Sequence, residues 1–387
     1  MPGRDLEASG GQDTISAMNS VTTPVPIMLT VRSVTTRAIA APLNIALGTS
    51  VTVIRTVPLL LVDLQTEEGI VGRAYLFSYT PAAAKSIALL LAEAVELVKG
   101  QPSRPQTIYH MLVRRLALLG VAGPVRMAIS ALDIALWDVA AKAAGLPLVE
   151  LLGASRRPIR AYDSRGLGLM PPDKLVAEAE TLLRKGMRAI KLRLGHPTLD
   201  EDLAALRALR GCIPREVLVM VDYNQALTTA EAIRRGLALQ AEGIAWLEEP
   251  IHHDDYQGNA QIARTLDVPL QIGENFNGPE AMAQAFAADA CDYVMPDVGR
   301  IGGVTGWMQA AAIAAARGVE MSSHLVPEVS VHLLAATPTA HWLEYVDWAD
   351  AILEEPLQVI DGAVTPSDRP GVGLEWDEAK LRRLSSL

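Results

Sequence analysis

The sequence predicts an α/β protein in which an N-terminal α+β domain precedes a parallel β/α barrel. Short apolar runs alternate with longer amphipathic ones from residue 158 onward. Nearly every short run ends in an ionisable or polar residue, where barrel enzymes place their active-site groups. No Gly-rich dinucleotide fingerprint follows the first run, which sets an open doubly wound sheet aside.

The N-terminal 28 residues are rich in Gly, Ser, Thr and Pro and lack the basic start and apolar middle of a signal peptide. They read as a mobile extension (1–28). "LTVRSVTTRAIAAPL" and "TVPLLLVDLQTEEGIVGRAYLF" read as antiparallel strands around a Glu-Gly turn at 68–69. Helical apolar spacing follows at 81–118 and 124–146, so an α+β domain over 29–157 is expected. The barrel is then expected over 158–351. Its strands are "IRAYDS", "AIKLRLG", "VLVMVDYN", "IAWLEEP", "PLQIGEN", "YVMPDV", "VEMSSHL" and "WLEYVD". Ala-rich helical stretches at 173–186, 200–210, 228–242 and 279–288 separate many of them.

The 387 residues, half of them apolar, allow a full core and two domains. The net charge of −10 argues against a nucleic-acid partner. No apolar run approaches the ~20 residues of a membrane span. Cys212 and Cys291 form no disulfide framework or zinc spacing, which suits a reduced, cytoplasmic chain.

The strand ends carry Ser164, Lys191 and Arg193, Asp222 and Asn224, Glu248, Glu274, Asp297, His324 and Glu344. Lys191 and Arg193 alternate with Ile190 and Leu192, so both cations share one face of an otherwise apolar strand. Asp222, Glu248 and Glu274 recur every 26 residues, one βα unit each. Three carboxylates converging in a barrel mouth repel unless a cation joins them. Their all-oxygen character suits Mg²⁺, with Mn²⁺ as a substitute. Glu249 points away by alternation. "HHDD" (252–255) reads as a solvated loop, His110, His196, His332 and His341 as surface or packing residues, and the glycines of "IGGVTG" (301–306) as a tight turn.

From about 30 to 377 the chain resembles the enolase superfamily, mandelate racemase subgroup. The resemblance rests on "LFSYTP" (76–81), "AYDS" (161–164), "VDYNQ" (221–225), "EEP" (248–250), "GEN" (273–275), "MPD" (295–297), "GGVTGW" (302–307), "SSHL" (322–325), "HLLAATPTAHWLE" (332–344) and "PGVG" (370–373). It implies a (β/α)₇β TIM-like barrel with an α+β capping domain, to which 352–387 returns, and Mg²⁺ on Asp222, Glu248 and Glu274. It also implies abstraction of the α-proton of a small carboxylic acid through an ene-diolate. In that scheme Lys191 neutralises the substrate carboxylate and His324, oriented by Asp297, is a base. Glu344 is a neutral acid that donates a hydrogen bond, while Ser164 and Asn224 contact substrate oxygens. A homo-oligomer is expected.

The subgroup has Lys-x-Lys where this chain has Lys191-x-Arg193. Lysine can lose its proton when desolvated; arginine in effect cannot. A racemase needs an acceptor on each face of the substrate. A dehydratase working through His324 alone is therefore one reading, a racemase using Lys191 or the guanidine as second base another, and a weakly active paralogue a third. Apolar residues at the expected pocket (Phe77, Tyr79, Leu325, Val326 and segment 42–55) favour an apolar or aromatic 2-hydroxy acid. With the whole-chain resemblance, they weight the expectation toward a mandelate-racemase-like isomerase.

Overall fold

A computed structural model describes residues 29–48, 53–183 and 186–387. The extension expected at 1–28 lies outside the described residues. Strands β1 (Val31–Gly48), β2 (Val53–Thr66) and β3 (Val71–Phe77) form the expected antiparallel meander. Gly69, with φ +87°, makes the turn between β2 and β3. Helices Pro81–Val98, Pro105–Arg115 and Gly123–Ala144 follow. The stretch read as one helix over 81–118 is two, because Gly100 turns left-handed (φ +74°) and Pro102 precedes the second start. The long third helix lies tight on the sheet. A Cβ on Gly72 would stand 2.1 Å from the Ala135 carbonyl oxygen, so only glycine permits the approach.

Eight parallel strands follow: β4 (Ile159–Asp163), β5 (Ala189–Arg193), β6 (Leu218–Asp222), β7 (Leu247–Glu248), β8 (Leu270–Ile272), β9 (Tyr293–Val294), β10 (Glu320–Met321) and β11 (Leu343–Tyr345). Neighbours follow chain order, and β11 pairs with β4. Bonds from Met321 N to Thr339 O (2.9 Å) and from His341 N to Met321 O (2.9 Å) close the ring. Helices at 172–183, 199–212, 229–240, 256–265, 279–287, 303–317 and 327–335 alternate with the strands, which makes the expected (β/α)₇β barrel. The helix at 256–265 escapes a sequence reading because "YQGNAQIART" carries a glycine and few apolar residues. After the barrel, β12 (Ala363–Val364) pairs antiparallel with β4, and β13 (Ser385–Ser386) adds an edge strand to β1. No helix among the described residues is long and apolar enough to cross a membrane.

Period-two alternation sorts the barrel interior into layers. Tyr162, Ala189, Met220, Trp246 and Trp342 form an apolar cluster of their own. Two residues further along their strands stand Lys191, Asp222, Glu248 and Glu344. The aromatic plug thus forms a dry bottom on which a polar layer rests.

The N-terminal domain meets the barrel over buried polar contacts. Asp133 accepts from the Thr305 amide (2.8 Å) and hydroxyl (2.6 Å), and the Tyr75 hydroxyl donates to Glu328. Glu328 Oε1 has no partner, and burial pushes this carboxyl up to about 7. Below the unfolded value both states hold the proton. As pH rises, the unfolded chain ionises first and stability falls until pH passes about 7. At 1.36 kcal/mol per pKa unit the loss from this group is about 3 kcal/mol. Urea unfolding of Glu328→Gln should therefore show a shallower decline between pH 5 and 8 than the wild type. Parallel declines would contradict it.

Candidate active site

The carboxylates 26 residues apart converge. Oxygens of Asp222, Glu248 and Glu274 lie within 4.8 Å of one another at the ends of successive strands. Register brings them there: Asp222 pairs with Glu248 across β6 and β7, and Arg193 with Asp222 across β5 and β6. Asp222 and Glu248 are fully buried. Burial, with like-charged neighbours, pushes Glu248 up to about 8 against the pull of Lys191. A set of three oxygen donors this crowded fits a hard divalent cation, whose charge offsets their repulsion. Glu249 stands outside the set, its Oε1 accepting from the Gly273 amide at 2.8 Å.

Neighbouring groups orient the ligand set. Asn224 donates to both oxygens of Asp222, by its amide N (2.8 Å) and its side-chain Nδ2 (3.1 Å). Trp246 Nε1 donates to Glu248 at 2.9 Å. Asn224, Gln225 and Glu249 all take positive φ, strain concentrated where strand ends turn into the site.

Lys191 reaches the same cluster. Its ammonium lies 2.5 Å from Glu248, 3.2 Å from Asp222 and 2.9 Å from Glu344. Burial alone would lower its pKa; the surrounding carboxylates outweigh that and hold it well above the ordinary range. Arg193, two residues on, meets no carboxylate at ion-pair distance among the described residues. It donates to the carbonyls of Ser164 (3.3 Å) and Gly166 (2.9 Å) and to the Ser164 hydroxyl (3.0 Å), and its Nε has no partner.

His324 Nδ1 lies 2.8 Å from Asp297, and its Nε2 faces Glu274 at 3.4 Å and Glu344 at 3.9 Å. Asp297 is fixed in turn by the Gly299 amide. Burial pushes the imidazole down, but Glu274, Glu344 and Asp297 together raise it to about 9. The contacts of Glu344 in this structure run against the expected neutral form. Its oxygens accept from the Ser164 hydroxyl (2.7 Å), the Lys191 ammonium and the Leu325 amide (2.8 Å), and these three partners favour the ionised form. Burial opposes this, yet Lys191 holds the carboxyl far below its usual range.

A cavity of about 690 Å³ opens above this floor, between barrel and N-terminal sheet. Lys191, Arg193, Asp222, Asn224, Glu274, His324 and Glu344 line it. Of the expected pocket residues, Phe77, Tyr79 and Leu325 line it as well, while Ser164 and Val326 do not. Ser164 is buried beneath, where it links Arg193 to Glu344. Trp348, whose ring meets Phe77 edge-on at 5.0 Å, also lines the cavity, as do Arg55, Gln225 and Asn275. No sequence signal marks Trp348, Gln225 ends the "VDYNQ" motif without a role read for it, and Arg55 sits in the segment read as apolar wall. The "HHDD" loop carries exposed His252 and Asp254, while His253 is half-buried and bonded to Gln225. His332 is buried, with its Nδ1 accepting from Val149 N.

A family model described as enolase C-terminal domain-like matches residues 174–380. A second, for the mandelate racemase / muconate lactonizing enzyme N-terminal domain, matches 28–153. The chain is similar to L-talarate/galactarate dehydratase of Salmonella typhimurium, 34% identical over 84% of this chain and 82% of the relative. It also resembles a solved enolase of the alphaproteobacterium bal199 with bound magnesium (TM-score 0.90, 42% identity, 92% and 100% of the two chains). An enolase of Bradyrhizobium complexed with magnesium and mandelic acid is comparably similar (TM-score 0.89, 40% identity, 93% and 99%).

Proposed function

The chain belongs to the enolase superfamily, mandelate racemase subgroup, and from that premise we propose that it is a one-base, magnesium-dependent dehydratase of a 2,3-dihydroxy carboxylate. The observation that carries the proposal is the His324–Asp297 dyad aimed at the carboxylate cluster, with no second uncommitted base lining the cavity among the described residues.

Asp222, Glu248 and Glu274 would hold the magnesium ion. When bound there, the ion supplies positive charge that acidifies the carbon next to the substrate carboxylate. His324 Nε2 takes the C2 proton, and Asp297 stabilises the imidazolium. The C2–H electron pair moves toward the carboxylate, where Arg193 offers fixed positive charge. As the pair returns to form the C2–C3 double bond, the C3 hydroxyl leaves. His324 gives it the proton, so water departs and an enol remains, which tautomerises to a 2-keto-3-deoxy acid. Lys191 is held cationic by three carboxylates and Arg193 by its chemistry, so neither serves as the opposite-face base that racemisation requires. The similarity to a talarate/galactarate dehydratase supports elimination.

Racemisation of an aromatic 2-hydroxy acid is the second reading. The Phe77, Trp348 and Leu325 wall favours it, as does the similar enolase complexed with mandelic acid. Incubating 2,3-dihydroxy acids and mandelate with the magnesium-loaded enzyme, followed by NMR, separates the two. The proposal expects 2-keto-3-deoxy product. C2 epimerisation without keto product would overturn it.

A further inference from the structure

Arg300 stands behind the cavity wall, and we propose that it is a positioning residue for this site: through Asn275 it holds the carboxylate of Glu274, and on its own face it carries Tyr79 of the N-terminal domain. The assignment rests on the magnesium site described above, and only its turnover readout rests on the proposed reaction.

Arg300 falls in the short helical turn Val298–Ile301, which Asp297 caps. Its amide donates to the Asp297 carbonyl at 3.0 Å, so it is tied to the residue that orients His324. Its own carbonyl accepts from the Gly278 amide (3.1 Å), and its Nη1 donates to Asn275 Oδ1 (3.1 Å). Arg300 thus grips the loop after β8 at two points. Asn275 passes the constraint on, because its Nδ2 donates to Glu274 Oε1 at 3.2 Å. A primary amide between a guanidinium and a carboxylate has one favourable orientation, oxygen toward the cation and NH₂ toward the anion. The same loop is anchored to the N-terminal domain. Asn277 Nδ2 donates to the Asn275 carbonyl (3.3 Å), and Asn277 Oδ1 accepts from the Gly123 amide (2.8 Å).

The second contact reaches the N-terminal domain from the side. The guanidinium carbon of Arg300 lies 4.6 Å from the centroid of the Tyr79 ring, a cation–π distance. Tyr79 takes φ +64°, a costly conformation for a bulky residue that persists only where the surroundings enforce it. Phe77, with its ring centroid 4.2 Å away, and Arg300 supply that enforcement. A guanidinium is planar, so its face can rest on the ring while its edge donates to Asn275; a single ammonium cannot do both. Burial works against the charge of Arg300, yet Tyr79, Asp297 and Glu274 outweigh it. Tyr79, Asn275 and Glu274 all line the cavity, so one side chain behind the wall sets three residues of it.

The test uses the full chain. In calorimetry with Mg²⁺ and no substrate, Asn275→Ala and Arg300→Met should each lower affinity by about tenfold, with the circular dichroism spectrum unchanged. The double variant should be no weaker than Asn275→Ala alone, because both losses run through one path. Arg300→Lys should fall between Arg300→Met and the wild type. At saturating magnesium, Arg300→Met should raise KM by about tenfold through the released Tyr79, with kcat within about threefold of the wild type. Should Arg300→Met fold poorly, Arg300→Lys combined with Asn275→Ala poses the same question. Loss of magnesium affinity along this path with no turnover of any acid would uphold the positioning role and sink the dehydratase. Unchanged magnesium affinity in Arg300→Met, losses that add in the double variant, or a fallen kcat at unchanged KM would overturn the assignment.

Discussion

Glu248→Gln should lower magnesium affinity by about 100-fold or more, measured by calorimetry, with the circular dichroism spectrum unchanged. The amide keeps the shape and one oxygen but removes a full negative charge from a three-carboxylate set. The fold should hold for a physical reason. Burial and its neighbours push Glu248 up to about 8, so a neutral group there is tolerated. Trp246 Nε1 and Gln271 Nε2 both donate to Oε2, which the Gln carbonyl oxygen can replace. Unchanged affinity would place the cation elsewhere.

His324→Asn should lower kcat by about 10²–10⁴, the range that a positioned general base contributes. Asparagine retains a group able to meet Asp297 but cannot accept a proton at the α-carbon. Magnesium affinity should change little, because His324 is a neighbour of Glu274 rather than a member of the ligand set. That split between binding and turnover is what a purely structural histidine would not produce. Activity near that of the wild type would remove His324 from the mechanism.

The legible parts of this site are those that a single strand or a single βα unit determines. Lys191 and Arg193 share a face because strands have a period of two, and the structure directs both to the cavity. Asp222, Glu248 and Glu274 converge because equal spacing returns the chain to the same rim of the ring. The environment of Glu344 was not legible. It depends on Lys191 from β5, Ser164 after β4 and the left-handed turn at Leu325 (φ +51°), which aims a backbone amide at Oε2. No local pattern encodes contacts assembled from three separate segments. Ser164 shows the same limit from the other side. It stands at a strand end as expected, yet it lies under the cavity floor and holds Arg193 and Glu344 in place. The cavity wall was legible only in part. Phe77 ends β3 of the N-terminal sheet and Tyr79 follows it, but Trp348 arrives from beyond β11 and Arg55 from β2, and only the packing of one domain on the other brings them together.

The proposed mechanism uses one base acting from one side. Its most direct test is exchange of the C2 proton with solvent deuterium, followed by NMR on each C2 epimer of a substrate separately with magnesium-loaded wild-type enzyme. The epimer that presents its C2 proton to His324 should exchange, its partner should remain protonated over the same interval, and His324→Asn should exchange neither. Equal exchange of both epimers by the wild type would mean that Lys191 or Arg193 already accepts a proton, and would contradict the one-base mechanism.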